Sequence, residues 1–108
     1  MNWLEIQDQT QLDQISASTT PSIIFKHSTR CPVSKFAKKD FELESVLIPE
    51  HVNVYLLDLL KFRDISGEIE QRWEVTHESP QALLIVDNAC IYHASHNHIQ
   101  VADFVTKL

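Results

Sequence analysis

The chain has 108 residues, which predicts one domain covering 1–108, and a hydrophobic content of 44% is sufficient for a buried core. A formal net charge of −6 argues against nucleic acid as the main partner. The first residues contain no basic stretch followed by a long apolar run, so we expect no signal peptide, no membrane partner and a cytoplasmic location. Two cysteines in such a chain argue against a structural disulfide framework.

The hydrophobic pattern of the first three quarters of the chain predicts strands that alternate with helices. In chain order we expect a short strand at 3–6, a helix from 8 or 10 to about 18, a strand at 22–27, a helix from 32 to about 47, a strand at 52–58 and a helix at 63–74. In the second of these helices, one buried stripe is predicted by the spacing of Val33, Phe36, Ala37 and Phe41.

The last quarter of the chain predicts a hairpin followed by a helix. Strands at 82–86 and 90–94 flank a turn at 87–88, and the final helix covers about 100–108. Strands that alternate with helices imply parallel crossovers, and the hairpin adds antiparallel strands. We therefore expect an α/β fold with a central mixed sheet of about four to five strands flanked by helices, an arrangement that resembles thioredoxin. Pro80 precedes the hairpin, where that fold has a cis proline.

Cys31 lies between a buried strand and a helix. Pro32 suits the first position of that helix, because the N–H that proline lacks would be unpaired there, and it places Cys31 at the helix cap. Unpaired N–H groups and the positive end of the helix dipole favour thiolate over thiol. The alternative is an inert, buried structural cysteine.

Basic residues surround Cys31 in the sequence. No acid lies between Lys26 and Lys39, and this segment holds five of the nine basic residues: Lys26, Arg30, Lys35, Lys38 and Lys39. Such a cluster should favour the thiolate and attract an anionic thiol or disulfide. The alternative is a solvated basic face without a role in chemistry.

Three segments resemble the monothiol bacilliredoxins, thioredoxin-fold general stress proteins of bacteria that use bacillithiol. They are residues 28–34 (Ser-Thr-Arg-Cys-Pro-Val-Ser), 77–81 (His-Glu-Ser-Pro-Gln) and 92–96 (Tyr-His-Ala-Ser-His). The resemblance implies that Cys31 attacks mixed disulfides between proteins and bacillithiol and takes the bacillithiol onto itself. It implies bacillithiol as the cofactor and bacillithiolated proteins as partners. The segments contain the residues expected to support Cys31: Thr29, Arg30, Pro32, Ser34, Ser79 and Pro80.

A monothiol mechanism agrees with the residue three positions after Cys31. Dithiol thioredoxins have a second cysteine there, whereas this chain has Ser34, so no disulfide can form across the turn. Ser34 either hydrogen-bonds the thiolate or faces water. Cys90 should be a half-buried strand residue roughly 25 Å from the Cys31 end, since eight strand residues at about 3.3 Å separate that end from the hairpin turn. A disulfide between the two cysteines is therefore not expected.

Five residues are candidates to bind the small thiol. Lys61 and Arg63 follow the strand at 52–58, and ligands of open α/β sheets usually bind at the carboxyl ends of strands. His96 and Asn97 should return to the Cys31 end along the hairpin. His77 precedes the proline loop, which would bring it close to Cys31, where it could act on the protonation of the thiol. The cations suit the malate carboxylates of bacillithiol. The alternatives are that Lys61 and Arg63 are surface charges and that His77 caps its loop.

Two features of the sequence indicate functions other than an enzyme. The histidines at 93, 96 and 98 resemble a set of metal ligands. Successive strand residues point to opposite faces of a sheet, so His93 and His96 should diverge, and we expect no metal.

Monothiol glutaredoxins also have Cys and Ser at the relative positions of Cys31 and Ser34, and they bridge an iron–sulfur cluster between subunits. A thiol-binding protein without turnover is a related alternative. The bulky Val33 and the presence of one glycine in the whole chain favour the enzyme. We expect a monomer.

Overall fold

A computed structural model describes residues 1–108, and every predicted strand and helix is present in the predicted order. The elements are β1 (Leu4–Glu5), α1 (Thr10–Ala17), β2 (Ser22–His27), α2 (Pro32–Leu43), β3 (Asn53–Asp58), α3 (Arg63–Trp73), β4 (Gln81–Val86), β5 (Ala89–Ser95) and α4 (Val101–Val105). The helix predicted to reach 47 ends at Leu43, and a separate 3₁₀ turn covers Ser45–Leu47. A second 3₁₀ turn, His96–His98, joins β5 to α4. No helix is long and apolar enough to cross a membrane.

The five strands form one mixed sheet in the order β1-β3-β2-β4-β5. β3 runs parallel to both β1 and β2, whereas β4 is antiparallel to β2 and β5. The central strands β2 and β4 are covered on both faces, which explains why they read as continuous apolar runs rather than as alternating patterns. This is the predicted thioredoxin-like α/β fold, with a mixed sheet flanked by helices.

The core consists of two clusters, one on each face of the sheet. α1 and α3 cover the face that includes Ile24, and α2 and α4 cover the face that includes Ile23 and Phe25. This division follows from the alternation of side chains along a strand. By the same alternation, Lys26 lies on the α3 face, and His27 lies on the α2 face.

The predicted buried stripe of α2 is partly wrong. Ala37 and Phe41 are buried, but Val33 is 50% exposed and Phe36 is 71% exposed. The third inward position belongs to Ser34, which precedes Ala37 by one turn and Phe41 by two. Phe36 points away from this stripe because residues two apart lie on opposite sides of a helix. α2 therefore presents apolar side chains to solvent close to Cys31.

The ends of β2, β3 and β5 and the start of β4 lie together at one edge of the sheet. The register pairs Lys26 of β2 with Gln81 of β4, and Gln81 with Ser95 of β5. The N–H of Leu59, after β3, donates to the carbonyl of His27 at 3.0 Å. The segment that leads to Cys31, the loop before β4 and the turn after β5 therefore meet at this edge.

Candidate active site

Cys31 is the N-cap residue of α2, and Pro32 is its first residue, as predicted. The Cys31 N–H donates to the carbonyl of Ser28 at 3.3 Å, and its own carbonyl accepts from Lys35 N–H at 3.0 Å. The side chain is partly exposed and is not engaged in a disulfide. The backbone of Cys31 is thus fixed on both sides, while the residue remains partly open to solvent.

The basic residues around Cys31 do not form one surface. Arg30, Lys35 and Lys39 are exposed, but Lys38 pairs with Glu42 at 3.0 Å. Lys26 is fully buried on the α3 face. Sequence proximity therefore overstated the cluster: three free cations remain near Cys31 on the solvent side.

Ser34 takes neither of the two roles considered for it. It is fully buried, its Oγ lies 2.7 Å from Nδ1 of His27, and it accepts the Ser28 N–H at 2.9 Å. Burial lowers the pKa of His27, with the charge of Lys38 acting in the same direction, so the neutral imidazole is favoured. Ser34 therefore links the end of β2 to the first turn of α2, and its hydroxyl makes no hydrogen bond to the Cys31 thiol.

The proline loop lies beside this junction. The Ser79–Pro80 peptide is cis, and Pro80 is buried directly before β4. The carbonyl of Pro80 accepts the His96 N–H at 2.9 Å. This bond holds the turn that contains His96 and Asn97 against the proline loop, as the hairpin geometry predicted.

The five candidate thiol-binding residues line three different cavities. His96 and Asn97 line one of about 190 Å³, opposite Val33 and Phe36 of α2. Lys61 lines another of about 110 Å³, whose wall also contains the carboxylates of Glu5 and Asp58.

The third cavity, about 290 Å³, contains both Arg63 and His77, and we call it the α3 pocket. Its lining residues are Leu59, Arg63, Ser66, Gly67, Glu70 and His77. The His77 ring Nδ1 lies 3.3 Å from Ser66 Oγ, and the His77 N–H donates to Glu70. Burial lowers the pKa of His77, and the charge of Lys26 adds to the effect. His77 therefore bonds to α3 and not to Cys31.

Sequence reasoning missed two groups at this edge. His27 is the partner of Ser34, and no local pattern connects a strand end to a helix residue seven positions later. Lys26 was counted among the surface cations, although its place in an otherwise buried strand indicated burial. The His/Cys/Asp/Glu side chains form no group of three or more that could hold a metal ion.

Cys90 lies at the opposite edge of the sheet, as predicted. It pairs with Ile85, which is aligned with Ser22 at the start of β2, whereas Cys31 follows the end of β2. Its Sγ donates to the carbonyl of Tyr92 at 3.3 Å, and burial raises the pKa of this thiol. Cys90 is free and packs beside the core cluster of the α3 face.

Comparison with known proteins agrees with this geometry. The family model of the monothiol bacilliredoxin BrxC matches residues 4–104. A solved structure described as a candidate oxidoreductase with a thioredoxin fold is 27% identical, with a TM-score of 0.82 over 95% of this chain and 90% of that chain.

Two thioredoxins share the fold at lower identity. Thioredoxin from Malassezia sympodialis is 18% identical with a TM-score of 0.77, over 98% of this chain and 90% of that one. Mitochondrial thioredoxin 3 from Saccharomyces cerevisiae is 18% identical with a TM-score of 0.73, over 98% and 95%. The family match and the fold together support a thiol redox role. Because the match extends over nearly the whole sequence, the chain belongs to the monothiol bacilliredoxin family.

Proposed function

We propose that this protein is a monothiol thiol–disulfide oxidoreductase that removes bacillithiol from protein mixed disulfides at Cys31. The observation that carries the proposal is the environment of Cys31: a partly exposed thiol at the N-cap of α2, with a buried serine at the position of a second thiol. The exposed cations Arg30 and Lys35, on either side of Cys31 in the sequence, suit an anionic disulfide.

The reaction is a single exchange. The thiolate of Cys31 attacks the bacillithiol sulfur of the mixed disulfide and forms a new S–S bond with it. The old S–S bond breaks, and the substrate protein leaves as a thiolate that takes a proton from water. The disulfide passes from the substrate to Cys31, so no external oxidant or reductant is needed for this step.

The exchange should stop at the Cys31–bacillithiol adduct. Ser34 has no thiol, and its hydroxyl is engaged by His27 and the Ser28 N–H. Cys90 lies at the far edge of the sheet. The adduct therefore persists until another thiol removes it.

The surroundings of Cys31 offer contacts to both halves of the substrate. On the protein half, the exposed Val33 and Phe36 give apolar contact area, and the main chain of Ser79 can pair with an extended segment next to the target sulfur. Thr29 and Arg30 are exposed beside Cys31, and Pro32 fixes the start of α2.

On the bacillithiol half, the five candidate contacts are Lys61, Arg63, His77, His96 and Asn97. The cavity with His96 begins at Val33, two residues after Cys31, and the α3 pocket adjoins His27 through Leu59. Lys61 is less suited to a carboxylate because Glu5 and Asp58 share its cavity.

Intact-mass analysis tests the proposal. Incubation with a bacillithiolated single-cysteine protein should add one bacillithiol mass to this chain and restore one substrate thiol. Cys31→Ala should abolish both changes, whereas Cys90→Ala should preserve them. Transfer that survives loss of Cys31, or an adduct that forms equally on Cys90, would contradict the mechanism. Visible absorption by an iron–sulfur cluster in freshly purified protein would instead indicate a cluster carrier.

A further inference from the structure

A lysine is buried at the Cys31 edge of the sheet without a bonding partner. Lys26 has an exposed fraction of 0%, and its Nζ has no hydrogen-bond partner. An unsatisfied buried polar group destabilises a protein, and an unpaired buried charge does so more strongly. Such a group in a folded protein requires an explanation, of which an absent ligand is one.

The side chain of Lys26 lies beneath α3. Ile24, two residues earlier on the same face of β2, packs in one cluster with Ile65 and Ile69 of α3. Burial lowers the pKa of Lys26, and the negative charge of Glu70 partly opposes this effect. Burial also lowers the pKa of His77, and the charge of Lys26 acts in the same direction. Glu70 and His77 both line the α3 pocket. Lys26 therefore lies behind the wall of this pocket, although no carboxylate oxygen pairs with it.

Other unsatisfied groups occur at the same edge. Gln81, the strand partner of Lys26, donates through Nε2 to the carbonyl of Thr76 at 3.0 Å, but its Oε1 has no partner. The buried Oγ of Ser79 also lacks one. Three of the four buried side-chain atoms without partners thus lie at or next to the proline loop, and only Ser22 lies elsewhere. The buried polar atoms without hydrogen-bond partners are therefore concentrated at the edge of the sheet where Cys31 lies.

Charge distinguishes the α3 pocket from the other two cavities. Lys61 shares its cavity with two carboxylates, and the cavity with His96 contains Asp40. The α3 pocket has the guanidinium of Arg63 in its wall and the ammonium of Lys26 nearby, against the carboxylate of Glu70, which already accepts the His77 N–H. The charge of Glu78 also reaches His77, but Glu78 is exposed and its charge is screened by solvent. One positive charge is left in excess, which suits one carboxylate of a ligand whose second carboxylate stays in solvent. A phosphate would bring both of its charges to one place beside Glu70.

We infer that the α3 pocket binds a carboxylate of the small thiol, with Lys26 as its buried ionic partner and Arg63 as its exposed one. The inference rests on the proposed function for the identity of the thiol, whose malate group supplies the carboxylate. Arg63 can hold a carboxylate through two parallel N–H bonds, and the ligand gives Lys26 the acceptor that the protein does not. Since the pocket adjoins His27 through Leu59, a thiol anchored there is held beside the segment that leads to Cys31.

A malate titration tests the pocket without using the redox reaction. Amide chemical shifts are recorded by NMR while L-malate is added at constant ionic strength. We expect saturable shifts at Leu59, Ser66 and Gly67. Inorganic phosphate, titrated in the same way, should bind more weakly than malate because of Glu70. Shifts confined to another cavity, or tighter binding of phosphate, would overturn the inference.

Three variants test which positive charges bind malate. Lys26→Met and Arg63→Gln should each weaken malate binding by about tenfold or more, the loss expected for one charge-assisted hydrogen bond. Lys107→Gln, a change of an exposed lysine after the end of α4, is the matched control and should leave binding unchanged. Thermal unfolding shows whether each variant is folded. A folded Lys26→Met protein that binds malate like the wild type would overturn the inference.

The inference and the proposed function fail in different ways. If Cys31 takes bacillithiol but malate does not bind the pocket, the inference is wrong and the function stands. If malate binds with the expected dependence on Lys26 but no adduct forms on Cys31, the function is wrong and the carboxylate pocket stands.

Discussion

Cys31 and Cys90 lie at opposite edges of one sheet, and their surroundings differ in exposure and in nearby charge. Cys31 follows β2, caps α2 and is partly exposed, between the exposed cations Arg30 and Lys35 in the sequence. Cys90 stays within β5, donates to the Tyr92 carbonyl and packs against the core. Burial raises the pKa of Cys90 and keeps it as a thiol. We therefore expect Cys31, which lies outside the sheet, to be the more reactive thiol of the two.

The two edges also differ in how completely their polar groups are satisfied. Near Cys90, the strands β4 and β5 are paired, the packed residues are mainly apolar, and one buried side-chain atom, Ser22 Oγ, lacks a partner. Near Cys31, the buried atoms of Lys26, Ser79 and Gln81 lack partners. Natural proteins tolerate such departures mainly at functional sites, so the less satisfied edge is the one at which we expect ligands to bind.

The largest expected effect is the difference in alkylation rate between the two thiols. At pH 7, iodoacetamide should modify Cys31 at least about a hundredfold faster than Cys90, because Cys90 is half-buried and held as a thiol. Peptide mapping by mass spectrometry measures both rates in one sample. In the urea-unfolded chain the two rates should become similar. Equal rates in the folded protein would show that the two edges do not differ as proposed.

The fold, and with it the separation of the two cysteines, could be predicted from the sequence. Element order, the mixed sheet and the distant position of Cys90 follow from hydrophobic periodicity and strand length, which are local properties. The start of α2 at Pro32 was also readable, because proline favours the first helical position for a local reason.

The interior of the site was not predictable in the same way. Whether Ser34 or Val33 points inward depends on where α2 meets the sheet, and this is a tertiary property. The bond between His27 and Ser34 joins two elements whose approach no local pattern specifies. The basic cluster predicted around Cys31 wrongly includes Lys26, because a count of charges along the chain ignores the alternation of faces in a strand.

A smaller effect is expected in the pH dependence of stability. Burial lowers the pKa of Lys26 from 10.5 to about 8, so between these values the unfolded chain holds more protons than the folded one. The free energy of unfolding should therefore rise with pH across this window, by at most roughly 3 kcal/mol from this group. Below pH 8 both states are charged, and the folded state carries the full burial penalty.

Lys26→Met isolates this contribution. The variant should be as stable as the wild type or more stable at pH 7, and the gain in the wild type between pH 8 and 10.5 should be absent from it. Urea unfolding at several pH values measures both effects, with Lys107→Met as the exposed control. If Lys26→Met destabilises the protein at pH 7, Lys26 has a structural role, and the contrast between the two edges of the sheet weakens.

The smallest expected effect concerns the bond between β2 and α2. Ser34→Ala removes the acceptor of the buried Ser28 N–H and the partner of the His27 ring, so unfolding should require about 1–2 kcal/mol less free energy. Thr106→Ala removes the exposed hydroxyl of the residue that caps the end of α4, and it should change stability by less than about 0.5 kcal/mol. Since Ser34 does not bond the Cys31 sulfur in this structure, Ser34→Ala should still form the bacillithiol adduct, at a lower rate only to the extent that the Cys31 segment loosens. Chemical denaturation and intact-mass kinetics on the same samples separate the two effects. Complete loss of adduct formation in a folded Ser34→Ala protein would mean that its hydroxyl acts on the sulfur directly during exchange.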